Sequence, residues 1–181
     1  FPAWRARPFS ERQALVAAAH RTGTWLIEDD PYGALYYDGR PLPRLLELSG
    51  AQGRGPYAGP VVYMGTLSKE LTPGLRIGWV IAAPEMIAAL SAAKQGTDMC
   101  TSGLGQMLAL RALERDIPGR IRPRMLDTYR DRRDALCAAL TKHLGDQLDW
   151  QRPSGGMFVW ARARDPRLDT DRLLHHALTQ G

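Results

Sequence analysis

Polar and charged side chains gather directly after two apolar stretches of the sequence, which run from 24 to 27 and from 61 to 65. If both stretches are strands, this placement indicates a binding site, because ligands of open α/β sheets bind outside the carboxyl ends of the strands. The side chains comprise a carboxylate, a phenol, two hydroxyls, an amine and a guanidinium. They belong to Asp29, Tyr32, Thr66, Ser68, Lys69 and Arg76.

This set of groups suits a ligand that is a phosphorylated aromatic cation carrying an aldehyde. A carboxylate can hold the proton of a pyridinium nitrogen, and a phenol can hydrogen-bond an oxygen on the ring. Hydroxyls and an arginine can hold a phosphate, the arginine as a bidentate fork. A lysine amine can form an imine with the aldehyde when burial and nearby positive charge lower its pKa. The set therefore predicts a site for a cofactor of this kind.

Three short motifs contain these side chains: EDDPYGALYY at 28–37, GTLSK at 65–69 and PGLRIGW at 73–79. Together they resemble the class I and II aminotransferases, which use pyridoxal phosphate and have the α/β architecture called fold type I. The resemblance is strongest to the branch with 2-aminoadipate and kynurenine aminotransferases and the aminotransferase-like domains of GntR-type regulators. It extends over about residues 10–181, and the run S-K-x-L-x-P-G-L-R-x-G-W is its most specific part.

The resemblance implies a role for each of the six side chains. Lys69 holds the cofactor as a Schiff base and shuttles the proton during catalysis. Asp29 pairs with the pyridine nitrogen of the cofactor, and Tyr32 pairs with the 3′-oxygen of its ring. The residues implied to hold the phosphate are Thr66, Ser68 and Arg76. The implied activity is transamination, in which an amino group passes from an amino acid to a 2-oxo acid.

Most of these residues also have a purely structural interpretation. Asp29 could be a turn residue ahead of Pro31, and for Asp30 this is the interpretation that we adopt. Thr66 and Ser68 could simply end a strand. Of the three tyrosines between 32 and 37, only the first has the spacing of the family. The four histidines show no ligand spacing, so no metal site is expected.

The segments that must position these groups alternate between helices and apolar strands, which favours an α/β fold. We expect strands at 24–27, 61–65 and 76–82, and the resemblance implies that the third runs antiparallel to its neighbours. The polar stretch at 39–59 is rich in Gly and Pro and is predicted to be a long loop. A mostly parallel sheet with flanking helices would place the site residues at one end of the sheet.

A connecting helix and a smaller domain are expected after the sheet. Pro123 is predicted to mark the start of a helix over 124–144. Strands are expected at Leu148–Trp150 and at Gly156–Trp160. We therefore divide the chain into the C-terminal part of a large cofactor-binding domain, a connecting helix and the beginning of a small α+β domain. The corresponding ranges are 1–123, 124–146 and 147–181.

Composition and charge argue against several other classes of partner. The net charge of +5 comes mostly from scattered arginines without blocks of like charge, so no nucleic-acid surface is expected in this segment. No apolar run approaches the roughly 18 residues of a membrane span, and the first residues lack the apolar core of a signal peptide. We expect a cytoplasmic protein with amino acid and 2-oxo acid substrates. The resemblance also implies a homodimer.

The sequence departs from the family pattern at its beginning. Where the family has an Asn-Pro-x-Gly turn ahead of the helix that begins near Ser10, this chain has unrelated residues at 1–9. The arginine that grips the substrate carboxylate in the family would lie beyond Gly181. We therefore expect an incomplete chain that carries the lysine anchor without the whole active site.

Three other functions remain open on the sequence. The same anchor residues serve other fold type I enzymes, such as a beta-lyase. An effector domain of a GntR-type transcription regulator would use the cofactor as a sensor, and a winged-helix segment upstream would identify it. An inactive piece of an enzyme is the third alternative. The motif Asp30-Pro31-Tyr32 favours a stand-alone enzyme over a regulator domain.

Overall fold

Three strands form the sheet that carries the predicted site. A computed structural model describes residues 8–51 and 55–180 of the chain. In it, β1 (Leu26–Asp29) pairs in parallel with β2 (Val61–Thr66), and β2 pairs antiparallel with β3 (Gly78–Ile81). The antiparallel direction of the third strand, predicted from the resemblance, is therefore confirmed. The atypical residues at the start of the sequence fall mostly outside the described ranges.

The register of the sheet places the predicted site residues at one edge. Asp29, the last residue of β1, pairs with Met64, and Thr66 is the last residue of β2. Because β1 and β2 are parallel, their carboxyl ends meet at the same end of the sheet. The prediction that the two ends lie together is confirmed. The first strand begins two residues later than predicted, at Leu26, whose N–H donates to the Pro60 carbonyl at 2.9 Å.

Helices follow the strands along most of the chain. The second of them is a single turn inside the stretch that we predicted to be a structureless loop, so that prediction is wrong in part. The helix ends at Leu48, and the N–H of the next residue, Ser49, donates to the Leu45 carbonyl at 2.9 Å. The helices are α1 (Phe9–Thr22), α2 (Leu45–Leu48), α3 (Pro84–Thr97), α4 (Gly103–Glu114), α5 (Ile117–Leu144) and α6 (Thr170–Gln180).

A small core lies between the sheet and α2. Leu46, Val61 and Tyr63 are buried together there. Leu26 and Tyr57 pack against this cluster and are themselves partly buried. The single turn of α2 thus supplies apolar contacts to the first half of β2, and the burial of these side chains stabilises the sheet.

The long helix α5 begins at Ile117, so the predicted start after Pro123 is wrong. Pro118 lies in the first turn, where the missing N–H has no helical partner to lose. Pro123 lies inside the helix and removes one internal hydrogen bond. Tertiary contacts offset this loss, among them the hydrogen bond from Arg122 Nη2 to Glu70 Oε2 at 2.9 Å. The division of the chain into domains stays a prediction.

The last strands form a separate two-stranded sheet. The strand predicted at Leu148–Trp150 is present as β4, but its antiparallel partner β5 is Ala161–Ala163, so the strand predicted at Gly156–Trp160 is wrong. The segment at 153–156 instead bonds to the chain that follows β1. Gly156 N–H donates to the Leu35 carbonyl at 2.8 Å, and Tyr37 N–H donates to the Ser154 carbonyl at 3.0 Å.

Within 8–51 and 55–180, no helix combines the length and the apolar character that crossing a bilayer requires.

Candidate functional site

The first part of the site is the turn that follows β1. Asp29 is exposed at the strand end, and Tyr32 is half-buried in the turn at 31–34. The turn is closed by a hydrogen bond from Leu35 N–H to the Tyr32 carbonyl at 2.8 Å. The ring of Tyr32 meets that of Phe158 edge to face, with centroids 5.9 Å apart and planes at 85°. The segment after β4 therefore helps to orient Tyr32.

The second part is the turn that follows β2. Thr66 Oγ1 donates to the Ile77 carbonyl at 2.9 Å and accepts from Ser68 N–H at 3.1 Å. The hydroxyl oxygens of Thr66 and Ser68 lie 3.0 Å apart. Leu67 N–H also donates to the Ile77 carbonyl, at 3.1 Å. The two predicted hydroxyl residues thus lie together, and the Ile77 carbonyl, one residue after Arg76, is bonded to the same turn.

Lys69 lies half-buried in this second turn. The turn is held by Leu71 N–H and Thr72 N–H, which donate to the Leu67 carbonyl at 2.9 and 3.2 Å. Within the described part of the chain, Lys69 Nζ has no hydrogen-bond or ion-pair partner. The sequence contains only two other lysines. One of them, Lys94, is paired with Asp98 on α3 at 2.6 Å, far along the chain from the strand ends.

Arg76 has an unusual backbone for a residue with a side chain. It follows the 3-10 turn Pro73–Leu75 and lies in the left-handed region, with φ 54° and ψ 38°. Its N–H and its Nη1 both donate to the Pro73 carbonyl, at 3.3 and 3.4 Å. Its side chain is exposed. Non-glycine residues in this region carry strain and are concentrated at functional sites, which supports a ligand-binding role for Arg76.

Neighbouring carboxylates at the end of β1 differ in whether they accept hydrogen bonds from the protein. Glu28 accepts from Leu45 N–H at 2.8 Å and from Leu46 N–H at 3.0 Å. Asp30 accepts from protein donors too, whereas the Asp29 carboxylate has no such partner among the described residues. Like the Lys69 amine, it is left for solvent or a ligand. Asp29 is thus the carboxylate that can bind a ligand at the strand ends, because its two neighbours are bonded to the protein.

Sequence reasoning missed residues that hold the turn between Asp29 and Tyr32 in place. Asp30, which we interpreted as a turn residue, is an anchor whose Oδ2 accepts from Arg44 Nε at 3.0 Å and from Tyr63 OH at 3.1 Å. The only sequence signal was the alternation of β1, which puts the residues at 28 and 30 on the face opposite Asp29. Nothing in the sequence predicted that Phe158 packs on Tyr32, apart from the resemblance of the residues around Phe158 to the family.

Comparisons with known proteins identify the family of this chain. The profile of the family described as Aminotransferase class I and II matches residues 6–180. Aromatic-amino-acid aminotransferase 1 of Thermococcus litoralis is 37% identical over 170 residues, which cover 94% of this chain and 39% of that protein. An uncharacterized HTH-type transcriptional regulator of Bacillus subtilis is 32% identical over 94% of this chain and 34% of its own length.

A solved structure shows the same fold. The crystal structure of alpha-aminoadipate aminotransferase from Thermus thermophilus, complexed with N-(5′-phosphopyridoxyl)-L-leucine, matches with a TM-score of 0.84 at 36% identity. The match covers 95% of this chain and 43% of that one, so the chain spans about two fifths of the length of such relatives. The family profile matches nearly the whole of this chain, and the chain shares the fold type I architecture. This chain therefore belongs to the class I and II aminotransferases.

Proposed function

We propose that the protein to which this chain belongs is a pyridoxal-phosphate-dependent aminotransferase that passes an amino group from an amino acid to a 2-oxo acid. The observation that carries the proposal is the position of Lys69. It lies at the edge of the sheet where the strands bearing Asp29 and Thr66 end, and its amine has no partner among the described residues. An amine so placed is available to a carbonyl compound.

The residues at this edge fit pyridoxal phosphate in their chemistry. Asp29 would face the ring nitrogen and Tyr32 the ring 3′-oxygen. The neighbouring hydroxyls of Thr66 and Ser68, 3.0 Å apart, would hold the phosphate together with Arg76. When bound, the cofactor supplies an aldehyde that takes up amino groups and a protonated ring that withdraws electrons.

The chain's own groups have separate tasks in this proposal. Lys69 attaches the cofactor through its amine and moves the proton at the alpha carbon of the substrate. The negative charge of Asp29 favours the protonated form of the ring nitrogen, because an opposite charge nearby stabilises the charged form. The fixed turn after β2, held by the Thr66 bonds to Ile77 and Ser68, limits the positions open to Lys69 and so orients its amine.

A second function is supported by one comparison. The relative at 32% identity is named as an HTH-type transcriptional regulator, so the chain is also similar to a protein that is not named as an enzyme. In that case the cofactor site would serve as a sensor of amines. A full-length protein that binds pyridoxal phosphate and a defined DNA site, yet turns over no amino acid, would support the regulator instead.

The assembly and location of the protein are part of the same proposal. We infer a homodimer, since the family resemblance implies active sites built at a subunit interface, and a cytoplasmic location. Arg44, ahead of α2, lies beside the end of β1 through its bond to Asp30, and the exposed residues Gly39 and Arg40 before it offer surface to a second subunit.

The test is the half-reaction of the full-length protein loaded with pyridoxal phosphate. Addition of a reactive amino acid alone should release one equivalent of its 2-oxo acid per active site, and a different 2-oxo acid should then be converted to its amino acid. Lys69→Ala should abolish both steps, whereas Lys142→Ala, an exposed lysine in the last turn of α5, should leave them intact. Release of ammonia and a cleaved side chain instead would indicate a lyase and contradict the proposal.

A further inference from the structure

The end of β1 carries three consecutive carboxylates that point in two directions. Glu28 and Asp30 are partly buried, whereas Asp29 between them is exposed. Successive side chains of a strand project to opposite faces, which explains this alternation. Asp29 therefore faces the proposed cofactor site, and its two neighbours face the body of the protein.

Asp30 is held by two donors from two different elements. Its Oδ2 accepts from Arg44 Nε at 3.0 Å and from Tyr63 OH at 3.1 Å, and only 16% of its side chain is exposed. The guanidinium of Arg44 also lies over the Tyr63 ring, 5.5 Å from its centroid. Burial raises the pKa of the Tyr63 phenol, and the charge of Asp30 raises it further. The phenol is therefore held neutral and able to donate.

The face that Asp30 occupies is tied to the start of α2. Glu28 accepts from the N–H groups of Leu45 and Leu46, the first two residues of that helix, and Arg44 immediately precedes them. Two carboxylates on one side of Asp29 thus bind the end of β1 to the start of α2, and one of them also binds β2. Motion of the strand end would break several hydrogen bonds at once.

The turn after β1 passes close to the Asp30 carboxylate at Gly33. A methyl group at Gly33 would overlap both oxygens of Asp30. The turn between Asp29 and Tyr32 therefore folds closely over that carboxylate. Asp30 lies between the two residues assigned to the cofactor ring and fixes the backbone that both share.

We propose that Asp30 is a positioning residue that sets the direction of Asp29 and Tyr32 through its bonds to Arg44 and Tyr63. The inference rests on the proposed function. Asp30 touches neither cofactor nor substrate in this proposal. Its effect passes through the turn, in the way that supporting hydrogen bonds orient the ligands of other sites.

The experiment is a titration of the full-length protein with pyridoxal phosphate, followed by the absorbance of the bound cofactor. Asp30→Asn should raise the dissociation constant about tenfold, because it removes the negative charge that strengthens the bonds from Arg44 and Tyr63. Tyr63→Phe should raise it several-fold, because it removes one donor to that carboxylate. Asp131→Asn, the same change at an exposed position on α5, should have no effect. Circular dichroism checks that each variant is folded, and Tyr63→Phe decides the matter if Asp30→Asn does not fold.

A second readout separates positioning from general loss of structure. The pH midpoint of the absorbance change of bound cofactor should shift in Asp30→Asn in the same direction as in Asp29→Asn. Adding Asp30→Asn to Asp29→Asn should produce little further shift, since the route runs through Asp29. Gly33→Ala, which displaces the carboxylate and keeps its charge, should shift the midpoint likewise, whereas Gly96→Ala, in open space on α3, should not.

The outcomes distinguish the two proposals. If the unchanged protein binds cofactor but folded Asp30→Asn and Tyr63→Phe match Asp131→Asn in affinity and midpoint, the positioning role is wrong and the proposed function stands. Fully additive effects of Asp29→Asn and Asp30→Asn would overturn the positioning role as well. If the unchanged protein fails to bind pyridoxal phosphate at all, the proposed function itself is wrong.

Discussion

Two adjacent aspartates have opposite uses at the residue scale. Asp29 is exposed with its carboxylate unpaired among the described residues, and Asp30 is bonded to Arg44 and Tyr63. The kinds of group needed at the site followed from the sequence, because chemistry limits which side chains suit a pyridinium, a phosphate and an aldehyde. The resemblance assigned Asp29 to the cofactor, but the bonded role of Asp30 did not follow, because it depends on donors 14 and 33 residues further along the chain.

Substitution of Asp29 tests the role of the free carboxylate. Asp29→Ala in the full-length protein should weaken cofactor binding by about 1.5–3 kcal/mol, the range for a hydrogen bond to a charged group. The rate of amino transfer should fall by more, because the transition state depends most on the ring charge. Equilibrium titration and single-turnover kinetics measure the two effects. Equal losses in binding and rate would contradict the assigned role, and Asp131→Ala serves as the control.

Tyr63 gives a prediction about pH. Burial first, and then the charge of Asp30, raises the pKa of its phenol above 10.0. A raised pKa means that the folded state favours the neutral phenol. Its contribution to stability is therefore complete below about pH 10 and is lost as pH rises through the raised value. Urea unfolding between pH 8 and pH 11, values chosen to bracket roughly the free tyrosine pKa, should show this loss.

The matched variants isolate the contribution of Tyr63. Tyr63→Phe should flatten part of the alkaline decline, and Tyr129→Phe on α5 should leave it unchanged. Some decline should remain in Tyr63→Phe, because burial also raises the pKa of Tyr37. An alkaline decline identical in all three proteins would show that Tyr63 is not the titrating group.

At the scale of elements, one buried arginine joins three segments. Arg133 on α5 is 4% exposed and donates to Asp38, to the Pro153 carbonyl at 2.7 Å and to Asp134 at 2.7 Å. Its guanidinium lies 4.9 Å from the centroid of the Tyr37 ring. The long helix is thereby fastened both to the chain after β1 and to the segment after β4, the two segments that bring Tyr32 and Phe158 together.

Removal of this arginine should loosen that junction. Arg133→Met in the full-length protein should lower the free energy of unfolding by about 1.5–3 kcal/mol, from lost charge-assisted bonds and lost packing. The loss should stay below that of a fully buried ion pair, because Asp38 and Asp134 are 37% and 42% exposed and can be solvated. Urea unfolding measures it. A loss no greater than that of Arg132→Met, at the exposed neighbouring position, would contradict this account.

Elements were predictable from sequence where local pattern decides them. All three strands of the main sheet were placed within two residues at each end, the first two because apolar runs end at polar groups. The start of α5 was not predictable, because the helix continues through Pro123, and contacts distant in sequence, such as that between Arg122 and Glu70, hold this part of the helix. The strand expected at 156–160 failed for a similar reason: Gly156 pairs its backbone with Leu35, more than a hundred residues earlier.

At the scale of the whole molecule, the described chain exposes much apolar surface. Leu104, Met107 and Leu108 share one face of α4 and are 72%, 54% and 51% exposed. Ile27, on the outer strand of the sheet, is 70% exposed. Exposed apolar surface of this extent is usually covered in the functional protein. The relatives are more than twice as long as this chain, so we expect further parts of the fold to cover these surfaces.

The assembly of the full-length protein can be measured directly. We expect a dimer by light scattering, with cofactor bound in both subunits, because the family resemblance implies active sites at the subunit interface. Serial dilution should reduce activity when the dimer dissociates. A monomer with full activity would refute the proposed dimer, and catalase of known mass run in parallel would verify the instrument.

The central claim is that Lys69 carries the cofactor. The sequence has only three lysines, at 69, 94 and 142, which makes the question unusually easy to decide. Full-length protein loaded with pyridoxal phosphate should be reduced with borohydride, digested and mapped by mass spectrometry. We predict a phosphopyridoxyl label on Lys69, which would vanish in Lys69→Ala. A label on Lys94 or Lys142 with Lys69 unmodified would contradict the account.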